Sequence, residues 1–122
     1  MDTGKLNDNT MFFDGFEDEP SISLTCMDST ITVWEGYLDD ILNDPYMDRK
    51  WQGFTKDYNE MIRTYGDTNP YTIESPAEYI SDLQLYEGKD MGFEESNRVL
   101  QLLIDFLSCA VANHSIVVVN HQ

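Results

Sequence analysis

Positive charge is what this sequence has least of. Lysine and arginine number 7 against 23 aspartates and glutamates, which gives 122 residues a formal net charge of −16 at pH 7. Duplex DNA, RNA and anionic lipid are disfavoured as partners, because each is itself a polyanion. A basic partner is favoured, since the charge exceeds what solubility asks of a small domain. Histidine is scarcer still. His114 and His121 are expected at a helix end and on solvated surface. The two cysteines, Cys26 and Cys109, form no Cys-x-x-Cys or Cys/His cluster, so a zinc site is not indicated. Both sit in apolar patterns and are expected to be buried thiols in a reducing cytosol rather than a disulfide. The 7 glycines are scattered singly. They build no phosphate-cradling Gly-x-x-x-x-Gly-Lys-[Ser/Thr] loop, no Gly-x-Gly-x-x-Gly turn and no Gly-x-Ser-x-Gly nucleophile elbow. Asp14-Gly15-Phe16-Glu17-Asp18-Glu19 lacks the ligand spacing of a calcium loop. No catalytic residue, metal or cofactor is therefore expected. Long apolar runs are missing too. Val99–Ala112 is the longest at 14 residues, is interrupted by Gln101 and Asp105, and is too short for a bilayer. With no apolar stretch or basic start at the N-terminus, no secretory signal is expected and the location reads as cytoplasmic.

Apolar residues are nonetheless plentiful, at 41 % with 12 % aromatic. A chain of this length buries about two thirds of its unfolded surface, enough for a core without disulfides. The pattern implies a frayed segment 1–10 and a single globular domain over 11–122, with no internal repeat.

Met11-Phe12-Phe13 reads as a short strand and Asp14–Pro20 as an acidic turn. Ser21–Cys26 alternates polar and apolar residues, the signature of a half-buried strand. Behind Asp28 and Ser29 as caps, Ile31, Trp34, Tyr37, Leu38, Ile41 and Leu42 recur at three- and four-residue steps. They predict a helix over 30–43 that ends at Asn43-Asp44-Pro45. Thr30–Val33 is β-branched and also compatible with a strand. Trp51, Phe54, Tyr58, Met61, Ile62 and Tyr65 fit a second helical stripe closed by Gly66. Asn69-Pro70 marks a turn and Tyr71–Ile73 a short strand. Ser75-Pro76-Ala77-Glu78 starts a helix with a capping box, running to about Leu85. The widest apolar stripe spans Glu94–Ala112 through Val99, Leu100, Leu103, Ile104, Leu107, Ala110 and Val111, with Asn113 closing it in a left-handed conformation. Ser115–Asn120 is a continuous apolar run of the kind buried on both faces of a sheet. The implied class is α/β or α+β: about four helices packed on a small sheet of three or four strands.

Charge is also unevenly placed. Between Lys5 and Arg49 there is no basic residue, while those 43 positions hold 11 acids. Glu35 and Asp39 are four apart, as are Asp40 and Asp44, and like charges at that spacing weaken a helix by roughly 0.2–0.5 kcal/mol per pair. Keeping them together fits an acidic face that docks on a cationic protein. The candidate partner-binding residues are Glu17, Asp18, Glu19, Glu35, Asp39, Asp40, Asp44 and Asp48. Asp39, Asp40 and Asp44 are placed centrally and Glu17–Glu19 at the rim. Phe16, Trp34, Tyr37, Tyr46 and Trp51 accompany them, most of them as core.

The order of elements resembles the immunity proteins of bacterial contact-dependent growth inhibition and related polymorphic toxin systems. The segments that carry it are Ser21–Cys26, Trp34-Glu35-Gly36-Tyr37-Leu38, Ser75-Pro76-Ala77-Glu78-Tyr79-Ile80, Leu100–Ala112 and Ile116–Val119. The resemblance implies binding to a toxin's effector domain, such as a basic nuclease, with its active or substrate-binding site blocked, by a protein that acts as a monomer. A secretion chaperone of the type III kind, which would be a homodimer, and an acidic nucleic-acid mimic stand as alternatives.

Overall fold

The computed structural model describes residues 8–9, 11–62 and 70–121. Asp8–Asn9 (β1) pairs in parallel with the start of Ser29–Trp34 (β3), so this part of the segment expected to fray is in the sheet. The expectations for residues 1–7, Tyr65, Gly66, Asn69, and the side chains of Met61 and Ile62 fall outside the described residues. Residues 11–15 form consecutive turns rather than the expected strand, with Gly15 at φ 93°. They remain tied to the sheet by Trp34 N–H donating to Phe12 C=O at 3.0 Å.

Ser21–Cys26 (β2) is a strand as its alternation predicts, and it pairs with β3 along its whole length. The two-residue loop between them puts Met27 at φ 54°, the positive value that primed hairpin turns require at a central position. This corrects the helix expected over 30–43. Thr30, Ile31, Thr32 and Val33 continue the hairpin, where β-branched side chains pack well, and the helix Glu35–Leu42 (α1) begins only after Trp34. A helix of four residues, Gly53–Lys56 (α2), runs into a π-helical Asp57–Ile62. Tyr71–Ile73 (β4) and Pro76–Gln84 (α3) follow as expected, although the Ser75 side chain makes no capping hydrogen bond; its carbonyl accepts from Glu78 N–H instead.

Ser96–Ala112 (α4) is the longest element, and Val117–His121 (β5) closes the sheet. Asn113 is not the left-handed residue. His114 takes that place at φ 53°, Ser115 N–H reaches back to Ala110 C=O at 2.9 Å, and the Asn113 amide donates to Cys109 C=O at 2.8 Å. The helix ends at Ala112 as expected, and only the left-handed residue comes one position later, in a doubled-back turn that satisfies the last carbonyls. Cys109 on this helix is exposed rather than buried as expected, while Cys26 is buried.

The sheet order is β1-β3-β2-β5-β4, antiparallel except at β1. With four helices among the described residues, the class is α+β. One face of the sheet is covered. Ile22, Leu24, Cys26, Ile31, Val33, Ile73, Val117 and Val119 point inward and join Leu38, Ile41, Leu42, Leu83, Leu103 and Leu107 in a single core. The other face is open, lined by Ser23, Thr25, Thr30, Thr32, Thr72 and Val118, with side-chain hydrogen bonds Ser23–Thr32 and Thr25–Thr30 at 2.9 and 3.1 Å. The last strand is therefore not buried on both faces: Ile116 is 54 % and Val118 38 % exposed. Nor is His121 solvated; it is buried at the sheet end, stacked on Tyr71. Among the described residues no helix is long and apolar enough to cross a membrane.

Leu103→Ala should lower stability by roughly 2–5 kcal/mol, because a fully buried leucine leaves a cavity behind. Val118→Thr, on the open face, should stay within about 0.5 kcal/mol. Chemical denaturation of both variants checks the pair.

Candidate functional site

Rings gather where β3 meets α1. Phe16, from the turn ahead of β2, stacks on Trp34 with centroids 4.2 Å apart and planes 5° apart. Tyr37, one turn into α1, meets Phe12, Phe16 and Trp34 edge-on, and Phe93, from the loop ahead of α4, packs against Trp34 and Tyr37. Gly36 makes the arrangement possible, since a Cβ there would lie 2.4 Å from the Trp34 indole. Tyr37 and Phe12 are buried, Phe16 and Trp34 half-buried, and Phe93 is 45 % exposed. The cluster is thus core at its base and interface-like at its rim, where aromatic side chains offer rigid contact area.

Acids frame this rim. Glu17, Asp18 and Glu19 are exposed in the turn that carries Phe16. That turn is held beside α1 by Glu35 N–H donating to Pro20 C=O at 3.0 Å. Glu17 accepts from Gly15 N–H at 3.1 Å, which holds its carboxyl below the usual range. Glu35 is half-buried; burial, reinforced by the negative charge of Asp39, raises its pKa. Asp39 is half-buried and accepts from the Tyr58 hydroxyl at 3.1 Å.

The structure separates the other proposed binding residues from this group. Asp40 is a correction. A step of one residue turns it about 100° from Asp39 around the helix, into the interior, where it is 9 % exposed. Gly92 N–H, Phe93 N–H and the Ser96 hydroxyl donate to it at 2.9, 2.8 and 2.5 Å. Burial by itself would raise the pKa of Asp40. The bonds from Ser96, Phe93 and Gly92, with the charge of Lys89, outweigh it and hold the group below its ordinary value. Asp44 and Asp48 are exposed beyond the end of α1, and Asp48 is paired to Arg49 through both oxygens at 3.1 Å. Asp39, Asp40 and Asp44 therefore do not share a face.

A second polar cluster, which the sequence did not reveal, joins α2 to α3. Asp82 is 2 % exposed and accepts from Thr55 N–H, the Thr55 hydroxyl and the Tyr46 hydroxyl at 3.1, 2.6 and 2.9 Å. Burial raises its pKa despite those donors. Gly53 lets the backbone approach: it has φ 55°, and an added Cβ would stand 3.0 Å from that of Asp82. Nearby, Asp57 accepts from the Tyr79 hydroxyl, with the Tyr71 hydroxyl facing the same carboxyl, and burial raises Asp57 as well. Lys50, Lys56 and Glu78 border a shallow groove of about 260 Å³ beside it. Its charges of both signs offset one another.

Among the described residues no group of three or more His, Cys, Asp or Glu side chains is placed to hold a metal ion. Comparison with protein-family models, curated proteins and solved structures finds no match to this chain.

Asp40→Asn should cost roughly 1–3 kcal/mol, since an amide turns an N–H₂ toward a backbone donor and leaves it unpaired. The lowered folded pKa of Asp40 gives stability that is present above the unfolded value near 3.9 and lost as pH falls through the folded one. The variant should accordingly lose less stability than the parent on acidification below about pH 4, measured by denaturant titration across pH.

Proposed function

We propose that this protein acts by binding rather than by turnover, as a cytoplasmic immunity protein. Its aromatic rim, framed by Glu17, Asp18, Glu19 and Glu35, docks on a basic toxin domain and covers that domain's active or substrate-binding surface. The observation that carries this reading is Phe93, an exposed ring at the rim of a fixed aromatic cluster with carboxylates on the neighbouring turn and helix end. Apolar anchors surrounded by charge are how tight interfaces divide their labour. The anchor desolvates and slows dissociation; the charges speed encounter and select a cationic partner. A nuclease domain suits such a partner, because it carries basic side chains to hold phosphates.

The test uses the product of the neighbouring gene, which this reading expects to carry the toxin's effector domain. Co-expression with this protein should protect growth, and the purified pair should form a 1:1 complex. Phe93→Ala should weaken binding by about 30-fold or more, the size of an anchor's loss. Glu17→Gln, Glu19→Gln and Glu35→Gln together should mainly slow association and flatten its dependence on salt. Unchanged affinity and unchanged salt dependence in both variants, with circular dichroism intact, would refute the assignment of this face. A stable homodimer that binds no effector domain would point instead to a chaperone.

A further inference from the structure

Packing alone does not hold the Phe93 ring where it is. The ring meets Trp34 and Tyr37, with centroids 5.3 and 5.8 Å away, and is otherwise open to solvent. Two ring contacts leave a surface side chain free to swing out, so the backbone must set its place. Phe93 N–H donates to Asp40 Oδ2 at 2.8 Å, and Gly92 N–H donates to Asp40 Oδ1 at 2.9 Å. The two oxygens of one carboxylate thus grip two consecutive amides. The hydroxyl of fully buried Ser96, the first residue of α4, donates to the same Oδ2. The approach needs glycine at position 92, because a Cβ there would stand 3.0 Å from Asp40 Oδ1. Upstream, Lys89 Nζ donates to the carbonyls of Asp40 and Ile41 at 3.0 Å each. Only Asp90 and Met91 separate the two attachments, and Met91 packs against the core. Asp40 lies in the interior, where a molecule docked on the aromatic rim does not touch it. The helix that grips the ring, α1, also carries Glu35 and Asp39, so ring and charges keep one fixed spacing.

We propose that Asp40 is a positioning residue of the docking face: through the amides of Gly92 and Phe93 it sets the Phe93 ring, ahead of contact, for an apolar pocket ringed by basic side chains on the partner. The proposal rests on the docking reading of this face and adds how the face binds and what it fits. A ring whose backbone is already immobilised has less freedom to lose on association, and ordering a loose side chain at an interface lowers affinity. The fixed spacing defines the partner. An apolar pocket takes the ring, and Lys or Arg side chains around it answer Glu35 and the acidic turn Glu17–Glu19. Recognition of this kind selects a partner surface that already has that shape, because the ring and its flanking carboxylates are carried on one helix and the loop bonded to it.

The experiment compares the full chain with Asp40→Asn and with Gly92→Ala, which displaces the carboxylate from an exposed position without altering it. The first measurement needs no partner. Nuclear magnetic resonance should show the Phe93 ring losing its contacts to Trp34 and Tyr37 in both variants. Hydrogen exchange at the Gly92 and Phe93 amides should quicken by about 10-fold or more, relative to the amides of β2 and β5, as each loses a bond to a charged acceptor. The second measurement is affinity for the product of the neighbouring gene. Each variant should bind about 3- to 10-fold more weakly, the size of the ordering cost for one side chain. In a Phe93→Ala background neither substitution should weaken binding further, because the ring they position is gone. Unchanged ring contacts and unchanged exchange at Gly92 and Phe93 would overturn the proposal. So would a loss of affinity that adds in full to that of Phe93→Ala, since Asp40 would then act through something other than the ring. If Phe93→Ala binds as tightly as the parent, the docking reading fails instead, and the resonance and exchange data still decide whether Asp40 sets the ring.

Discussion

Asp40 carries its charge inside the protein, and three donors from one loop and the helix after it meet that charge there. Gly92, Phe93 and Ser96 are fixed by it, so the entry to α4 and the position of the Phe93 ring depend on one carboxylate of α1. The same helix is finished from the other direction. Lys89 donates to the carbonyls of Asp40 and Ile41 at 3.0 Å each and to Asn43 at 3.3 Å, placing a cation on the negative end of the helix dipole. The loop ahead of α4 is therefore locked to both the side and the end of α1. The aromatic cluster closes over that joint. An isolated buried carboxylate would be costly; one that accepts several hydrogen bonds is stable as an anion.

The surplus of negative charge is thus divided by environment. Asp40 is inside and held ionised by its donors. Asp82 is inside and pushed toward protonation by burial. Their contributions to stability have opposite dependence on pH: that of Asp40 fades on acidification, whereas Asp82 opposes folding as pH rises through its raised value. Both act as cross-links between helices rather than as surface charge, Asp40 between α1 and the start of α4, and Asp82 between α3 and α2. Glu17, Asp18 and Glu19 stay in solvent.

The acid run that stands out in the sequence is accordingly not one surface. Its early members lie around Phe16 and Trp34, Asp40 is withdrawn into the core, and Asp48 is answered by Arg49. Of the three residues expected at the centre of a binding face, only Asp39 stays near the aromatic rim, and it is partly engaged by Tyr58. In the proposed docking face the exposed ring is Phe93, which lies outside the acidic stretch and is distant from it in sequence.

Much of the fold was legible in the order of residues. Alternation in Ser21–Cys26, the wide stripe of α4 and the Pro76 start of α3 each report on contacts within a single element, and a local pattern suffices for them. The fate of Thr30–Val33 was not decided locally, because its residues satisfy both a helical stripe and a β-branched strand. Pairing with β2 across the Met27-Asp28 turn resolved it, and that turn lacks the Asn-Gly or Asp-Gly signal that announces a hairpin. The exposure of Ile116 and Val118 likewise depended on which sheet face the helices cover. Charge, composition and the absence of catalytic and metal motifs were set by the sequence itself, since they need no neighbours. Which carboxylates are buried, which ring is exposed and which cysteine is buried were decided only by tertiary structure, because each depends on residues that the chain brings together from distant parts of its length.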